Sequence, residues 1–222
     1  MSATDATDRG VLVVAAFHPE LAPLRPVLGD GLRGRIGGRA VAALPVGIGL
    51  PQASVGAALR IAEARPAAVV LVGTCGAYPG AALRIGDVVV ARTLLLVEPA
   101  VADGTAQFPD PMSIASVADP RMRAELTAAG AIAADVATTL AVTVDDAVAT
   151  RVARWTGAHV EHLEAHGVAT ASATHGVPFA AVLGVANVVG SRAREEWRAH
   201  HRAAAEAATA IVTRWLSTPG SW

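Results

Sequence analysis

Glu20, Glu164 and Asn187 are the strongest candidates for chemistry in this chain, and each stands at the edge of a strand-like run. Glu20 follows the apolar run 11–16 and sits close to Phe17. A carboxylate there can lose part of its hydration, which raises its pKa and suits general acid–base work. The position equally fits a first-turn glutamate that complements a helix dipole. Glu164 lies in Glu161-His162-Leu163-Glu164-Ala165-His166. Its two oxygens can each accept a hydrogen bond, as a clamp on a vicinal diol such as ribose O2′ and O3′ requires. A glutamate that merely opens a helix is the plainer alternative. Asn187 carries a donor and an acceptor on one amide, so it can read the edge of a heterocycle or simply break the strand before it.

Other residues have weaker claims. His162 and His166 can act as ligands or acid–base groups, but beside Glu161 they are expected on a polar surface. Arg192 suits a carboxylate or phosphate, and Trp197 can stack on a ring or anchor the last helix in the core. Cys75 has no sequence-local base and reads as a small buried residue. Asp145 and Asp146 read as a helix cap, and no metal site is expected.

These residues must be placed by the elements between them. The run 68–72 is continuous, apolar and β-branched, as in a strand buried on both faces. It is expected to end at Gly73-Thr74-Cys75-Gly76-Ala77, a small-residue loop where a ligand can lie against the main chain. Strands are expected at 11–16, 34–36, 40–46, 87–91, 94–97, 138–144, 159–163 and 177–185. Helices are expected near 19–28, 52–64, 120–129, 147–155, 164–174 and 193–216. Val55, Leu59 and Ala62 fall on one face of the second. The alternation implies an α/β fold, a mostly parallel sheet between helix layers. Its ligands should bind beyond the carboxyl ends of the strands. Residues 98–119 form a long loop, suited to a lid or an oligomer contact. Residues 1–9 read as a flexible leader and 10–218 as one domain.

Composition narrows the classes. The chain is 53% hydrophobic and 17% charged with net charge −1, so no basic field marks a nucleic-acid partner. One cysteine excludes an intrachain disulfide. No apolar stretch is long enough for a membrane span, and no signal segment opens the chain, so a cytoplasmic protein is expected. No Gly-x-Gly-x-x-Gly follows the first strand, which disfavours a dinucleotide fold.

Taken together, Gly47-Ile48-Gly49, the run GTCGAYPG at 73–80, Ile85-Gly86-Asp87, HLEAHGVA at 162–169 and GVPFAAVLGVANVVGSR at 176–192 resemble the nucleoside phosphorylase and nucleosidase superfamily. The resemblance covers nearly the whole chain. It implies a three-layer fold with a twisted mixed sheet and a site at the strand ends. By motif position, Glu20 matches the glutamate that polarises water in the nucleosidases, and Glu164 the one that grips the ribose hydroxyls. Thr74, Cys75 and Gly76 match the loop beside ribose and base, Ile48 a residue lining the cavity, and Asn187 the position that bonds the purine.

There are two departures. His162-Leu163-Glu164 stands where many members have Glu-Met-Glu, and Asn187 where they have Asp. The Asn, with Gly190, Arg192 and Trp197 after it, is similar to the futalosine hydrolase branch. The phosphorylases carry an Arg at the position of Leu71, so water is favoured over phosphate as nucleophile. The resemblance thus implies a hydrolase of purine nucleosides, working without a cofactor and assembling as a homo-oligomer, with a dimer favoured. A phosphorylase and a non-catalytic nucleoside-binding protein are the alternatives.

Overall fold

The computed structural model describes residues 9–218. The expected leader lies outside them, apart from Arg9. Strand β1 (Val11–Ala15) leads through two single-turn helices, α1 (His18–Leu21) and α2 (Arg25–Leu28), to the hairpin β2 (Arg33–Ile36) and β3 (Arg39–Pro45). Helix α3 (Leu50–Ala64) and strand β4 (Ala68–Ala77) follow. Then come β5 (Val88–Leu96), α4 (Pro99–Ala102), β6 (Ala115–Val117), α5 (Pro120–Ala128) and β7 (Ile132–Thr138). The chain continues through α6 (Asp146–Thr156), β8 (Val160–His162), α7 (Ala165–Thr174), β9 (Phe179–Val188) and α8 (Ala193–Ser217).

The expected α/β class holds: one mixed sheet lies between helix layers. β1 pairs in parallel with β3 and β4, and β4 with β9. β9 then pairs antiparallel with β5, β5 parallel with β7, β7 parallel with β8, and β8 antiparallel with the end of β4. These five strands therefore close into a ring. Alternation along the strands feeds both faces. Val11, Val13, Val70 and Val72 pack with α5 and α8, where Trp215 is the largest side chain. Leu12, Val14, Val69 and Leu71 pack with α3 and α7. Among the described residues no helix is long and apolar enough to cross a membrane.

Four expectations need correction: the segment 98–119, expected as a loop, carries α4 and β6. β4 does not end at Val72 but runs on to Ala77, paired with β9 in one register up to Cys75 and, after a shift between Cys75 and Gly76, on to Ala77. The strand expected at 138–144 lies earlier, at Ile132–Thr138. The alanine-rich segment pairs with β5, while Leu140, Val142 and Val144 alternate outward with no strand beside them. On α3 the buried face is Ala53, Ala57 and Ile61, and Val55 and Leu59 are exposed. Contacts with α7 and β3 are too close for bulky side chains: a Cβ on Gly167 would lie 2.3 Å from Ser54 Oγ, and one on Gly56 would meet the Val46 carbonyl.

Candidate functional site

A cavity of about 490 Å³ opens at the ends of β1, β4, β8 and β9. It gathers Glu20, Ile48, Thr74, Cys75 and Gly76 with His162, Leu163, Glu164, Asn187 and Trp197. Arg192 is not among its lining residues. Its side chain is 74% exposed and pairs with Glu196, which also accepts from the Val188 N–H. Phe17, Val142, Val144, Glu161 and Arg194 also line the cavity. Sequence reasoning gave no site role to the last four.

Glu20 comes from α1, a turn that Pro19 helps to start. It is buried against β4 because Gly73 has no side chain: a Cβ there would lie 3.2 Å from Glu20 Oε1 and 3.4 Å from His162 Nε2. Oε1 accepts from the Thr74 N–H at 3.1 Å and the Thr74 hydroxyl at 3.2 Å. Trp197 Nε1–H donates to that same hydroxyl at 3.1 Å, and its ring stacks on His201 with centroids 4.4 Å apart. Trp197 thus belongs to the cavity wall. Glu20 Oε2 is buried and makes no hydrogen bond among the described residues. Burial above all, then the charge of Glu164, raises the Glu20 pKa from 4.5 to about 8. Glu20 and Thr74 also border a second cavity of about 440 Å³, which lies along α8 past Trp197.

Glu164 stands at the N-cap position of α7 without bonding its turn, and its Oε1 instead accepts from the Gly49 N–H at 2.7 Å. Gly49 has φ 82°, a conformation glycine adopts freely, and this presents the N–H to the carboxylate. His162 is buried, not on a polar surface as expected. Its Nδ1 accepts from the N–H groups of Glu164 and Ala165, both at 3.1 Å. The ring is therefore neutral with its proton on Nε2, and burial lowers its pKa. His166 is buried too, behind Thr138, whose hydroxyl accepts from its N–H. His162 is carried by β8 and His166 by the first turn of α7, and both are buried.

Asn187 lies on β9, beside Gly76 of β4, and not in a turn. A Cβ on Gly76 would come within 2.7 Å of Asn187 Nδ2, so this glycine seats the amide. Nδ2 donates to the Val188 carbonyl at 3.0 Å. Cys75 is buried, and burial pushes its thiol pKa well up, which leaves it unsuited to act as a nucleophile. Asp145 caps α6 through the Val148 N–H, and Asp146 accepts from the Ser191 N–H and hydroxyl.

Glu161 is the largest omission. It sits on β8 opposite Gly76, buried, and it accepts from the Tyr78 hydroxyl, the Thr143 N–H and the Thr143 hydroxyl. The glutamate was visible in the sequence, but its donors lie 83 and 18 residues away, and no local spacing announces them.

The fold is shared with solved enzymes. The structure matches the methylthioadenosine/S-adenosylhomocysteine nucleosidase of Colwellia psychrerythraea, solved with adenine, at TM-score 0.84 and 19% identity over 95% of each chain. It matches a futalosine hydrolase mutant of Helicobacter pylori at 0.84 and 15%, over 93% of this chain and 98% of that one. It matches the S-adenosylhomocysteine nucleosidase of Streptococcus pyogenes, bound to 5-methylthiotubericidin, at 0.84 and 21%, over 95% and 97%. At these identities the likeness is one of fold. No curated protein sequence matches significantly. The model of the phosphorylase superfamily matches residues 7–217, and the chain belongs to that superfamily.

Proposed function

We propose that the protein hydrolyses the N-glycosidic bond of a purine nucleoside. The observation that carries this reading is Glu20. Its carboxylate is buried beside the cavity that holds Glu164, with one oxygen bonded to Thr74 and the other without a hydrogen-bond partner among the described residues. Glu164 holds the ribose 2′ and 3′ hydroxyls, steadied by Gly49. Ionised Glu20 takes a proton from water as the water oxygen bonds to C1′. The C1′–N bond breaks, its electron pair goes to the base, and solvent supplies the base with a proton. Asn187 hydrogen-bonds the leaving base but has no proton to give it. Thr74, Cys75 and Gly76 flank sugar and base, and Ile48, Leu163 and Trp197 supply apolar walls. His162 fixes the backbone that carries Glu164. The products are the free base and a free sugar that keeps any 5′ substituent.

Phosphorolysis is disfavoured by charge. Three carboxylates, Glu20, Glu161 and Glu164, line the cavity, and its one Arg is Arg194. Leu71 lies in the core and supplies nothing to the cavity. A phosphate dianion would sit among like charges. The Asn187 segment is similar by motif to the futalosine hydrolase branch, which favours a 5′-substituted nucleoside as substrate. The homodimer rests on the family resemblance, and half-exposed Ile48, Val142 and Val144 at the cavity rim suit a protein contact.

Product analysis tests the reading. The protein is incubated with futalosine, methylthioadenosine, inosine and adenosine, with and without phosphate. Release of base and of a sugar with a free C1′ hydroxyl, without phosphate, is expected. Release that requires phosphate means a phosphorylase, and tight binding without release means a binding protein.

A further inference from the structure

We infer that Glu161 is a positioning residue that latches the segment 139–145 in place as a wall of the cavity. Between Leu140 and Val144 one side chain is buried, that of Thr143, and its neighbours Leu140, Val142 and Val144 are more than half exposed. Thr143 gives both of its donors to Glu161: the N–H to Oε1 at 2.9 Å and the hydroxyl to Oε2 at 2.5 Å. Tyr78, just past the end of β4, adds its hydroxyl to Oε2 at 3.0 Å. One carboxylate thus ties β8, the end of β4 and the segment together. Val142 and Val144, on either side of Thr143, are the residues this segment presents to the cavity.

The chemistry explains why a carboxylate stands here. Three donors converge on it, and an ionised carboxyl is the one common side chain that accepts at both oxygens and donates at neither. Buried bonds to a charged acceptor are stronger than neutral ones. Glu161 and Asn187 flank Gly76 from the two strands on either side of β4, so both stand at the same level of the sheet. The wall it holds therefore closes the end of the cavity where the leaving base lies. That last step rests on the proposed function; the latch itself does not.

The test uses Glu161→Leu, Glu161→Gln and Thr143→Val in the full chain, with hydrogen–deuterium exchange at residues 139–145 as the first readout. Glutamine can keep its oxygen on the Thr143 N–H and turn its amide toward the two hydroxyls, which can accept. Exchange at the segment should rise at least tenfold in Glu161→Leu and stay within about threefold of wild type in Glu161→Gln. Should Glu161→Leu fail to fold, Thr143→Val removes one hydroxyl and carries the same test, with a smaller rise in exchange. Unchanged exchange in Glu161→Leu, or in Thr143→Val where it stands in, overturns the latch, and so does equal loss in Glu161→Gln and Glu161→Leu. These results do not depend on turnover. With a nucleoside that is turned over, KM should rise in Glu161→Leu while kcat changes less than threefold. A fall in kcat at unchanged KM would show that Glu161 acts on the chemistry and would overturn the positioning role.

Discussion

Glu20 and Glu161 are equally buried at 6% exposure, line the same cavity and have opposite surroundings. Glu161 accepts three hydrogen bonds shared over both oxygens, whereas Glu20 is held at one oxygen and, among the described residues, has no partner at the other. A buried carboxylate with all its bonds made is held in place and unreactive. One with a bare oxygen and a raised pKa can still exchange a proton with a ligand. Burial alone therefore does not mark a functional group. The count of satisfied lone pairs separates the two.

Substitutions should sharpen that contrast. The largest effect is expected for Glu20→Gln, which keeps the shape but loses the base. Steady-state kinetics should show kcat/KM lower by about 10²- to 10⁴-fold. The same variant carries a stability signature. A carboxyl whose pKa is raised on folding binds its proton more tightly in the folded state. Its contribution is complete below the ordinary 4.5 and is lost as the pH rises to about 8. Melting temperature in the wild type should therefore fall across that window, and Glu20→Gln should flatten the fall. Next comes Glu164→Ala, which removes the ribose clamp and leaves the Gly49 N–H without its acceptor; kcat/KM should drop about 10- to 100-fold. Trp197→Phe keeps an aromatic wall but loses the N–H that holds the Thr74 hydroxyl beside Glu20, and about a fivefold loss is expected. Arg192→Ala breaks only an exposed pair, so activity within about twofold of wild type and a stability change of at most ~1 kcal/mol are expected.

The order of strands and helices was legible because runs such as 11–16 and 68–72 are apolar, β-branched and bounded by breakers. Glu20 and Glu164 were legible because motif position brought them to one end of the sheet. What failed shares one cause: close approach between distant segments. Gly73 and Gly76 look like turn residues, yet they lie inside β4, where Glu20, His162 and Asn187 press against the strand. On α3 the bulky stripe looks like the core face, but contact with α7 selects the small one. His162 looks like a surface residue, yet β8 carries it against Gly73 of β4, where a Cβ would lie 3.4 Å from its Nε2. Glu161 is unremarkable in sequence until Tyr78 and Thr143 arrive from elsewhere.

The most direct measurement is the pH dependence of kcat/KM for wild type and Glu20→Gln, made without phosphate on a nucleoside that is turned over. If Glu20 activates water, the wild-type value rises as the pH passes about 8 and then levels, and Glu20→Gln is both low and flat in that range. A wild-type value that falls through the same range would make Glu20 an acid. An identical profile in the variant would remove Glu20 from the reaction.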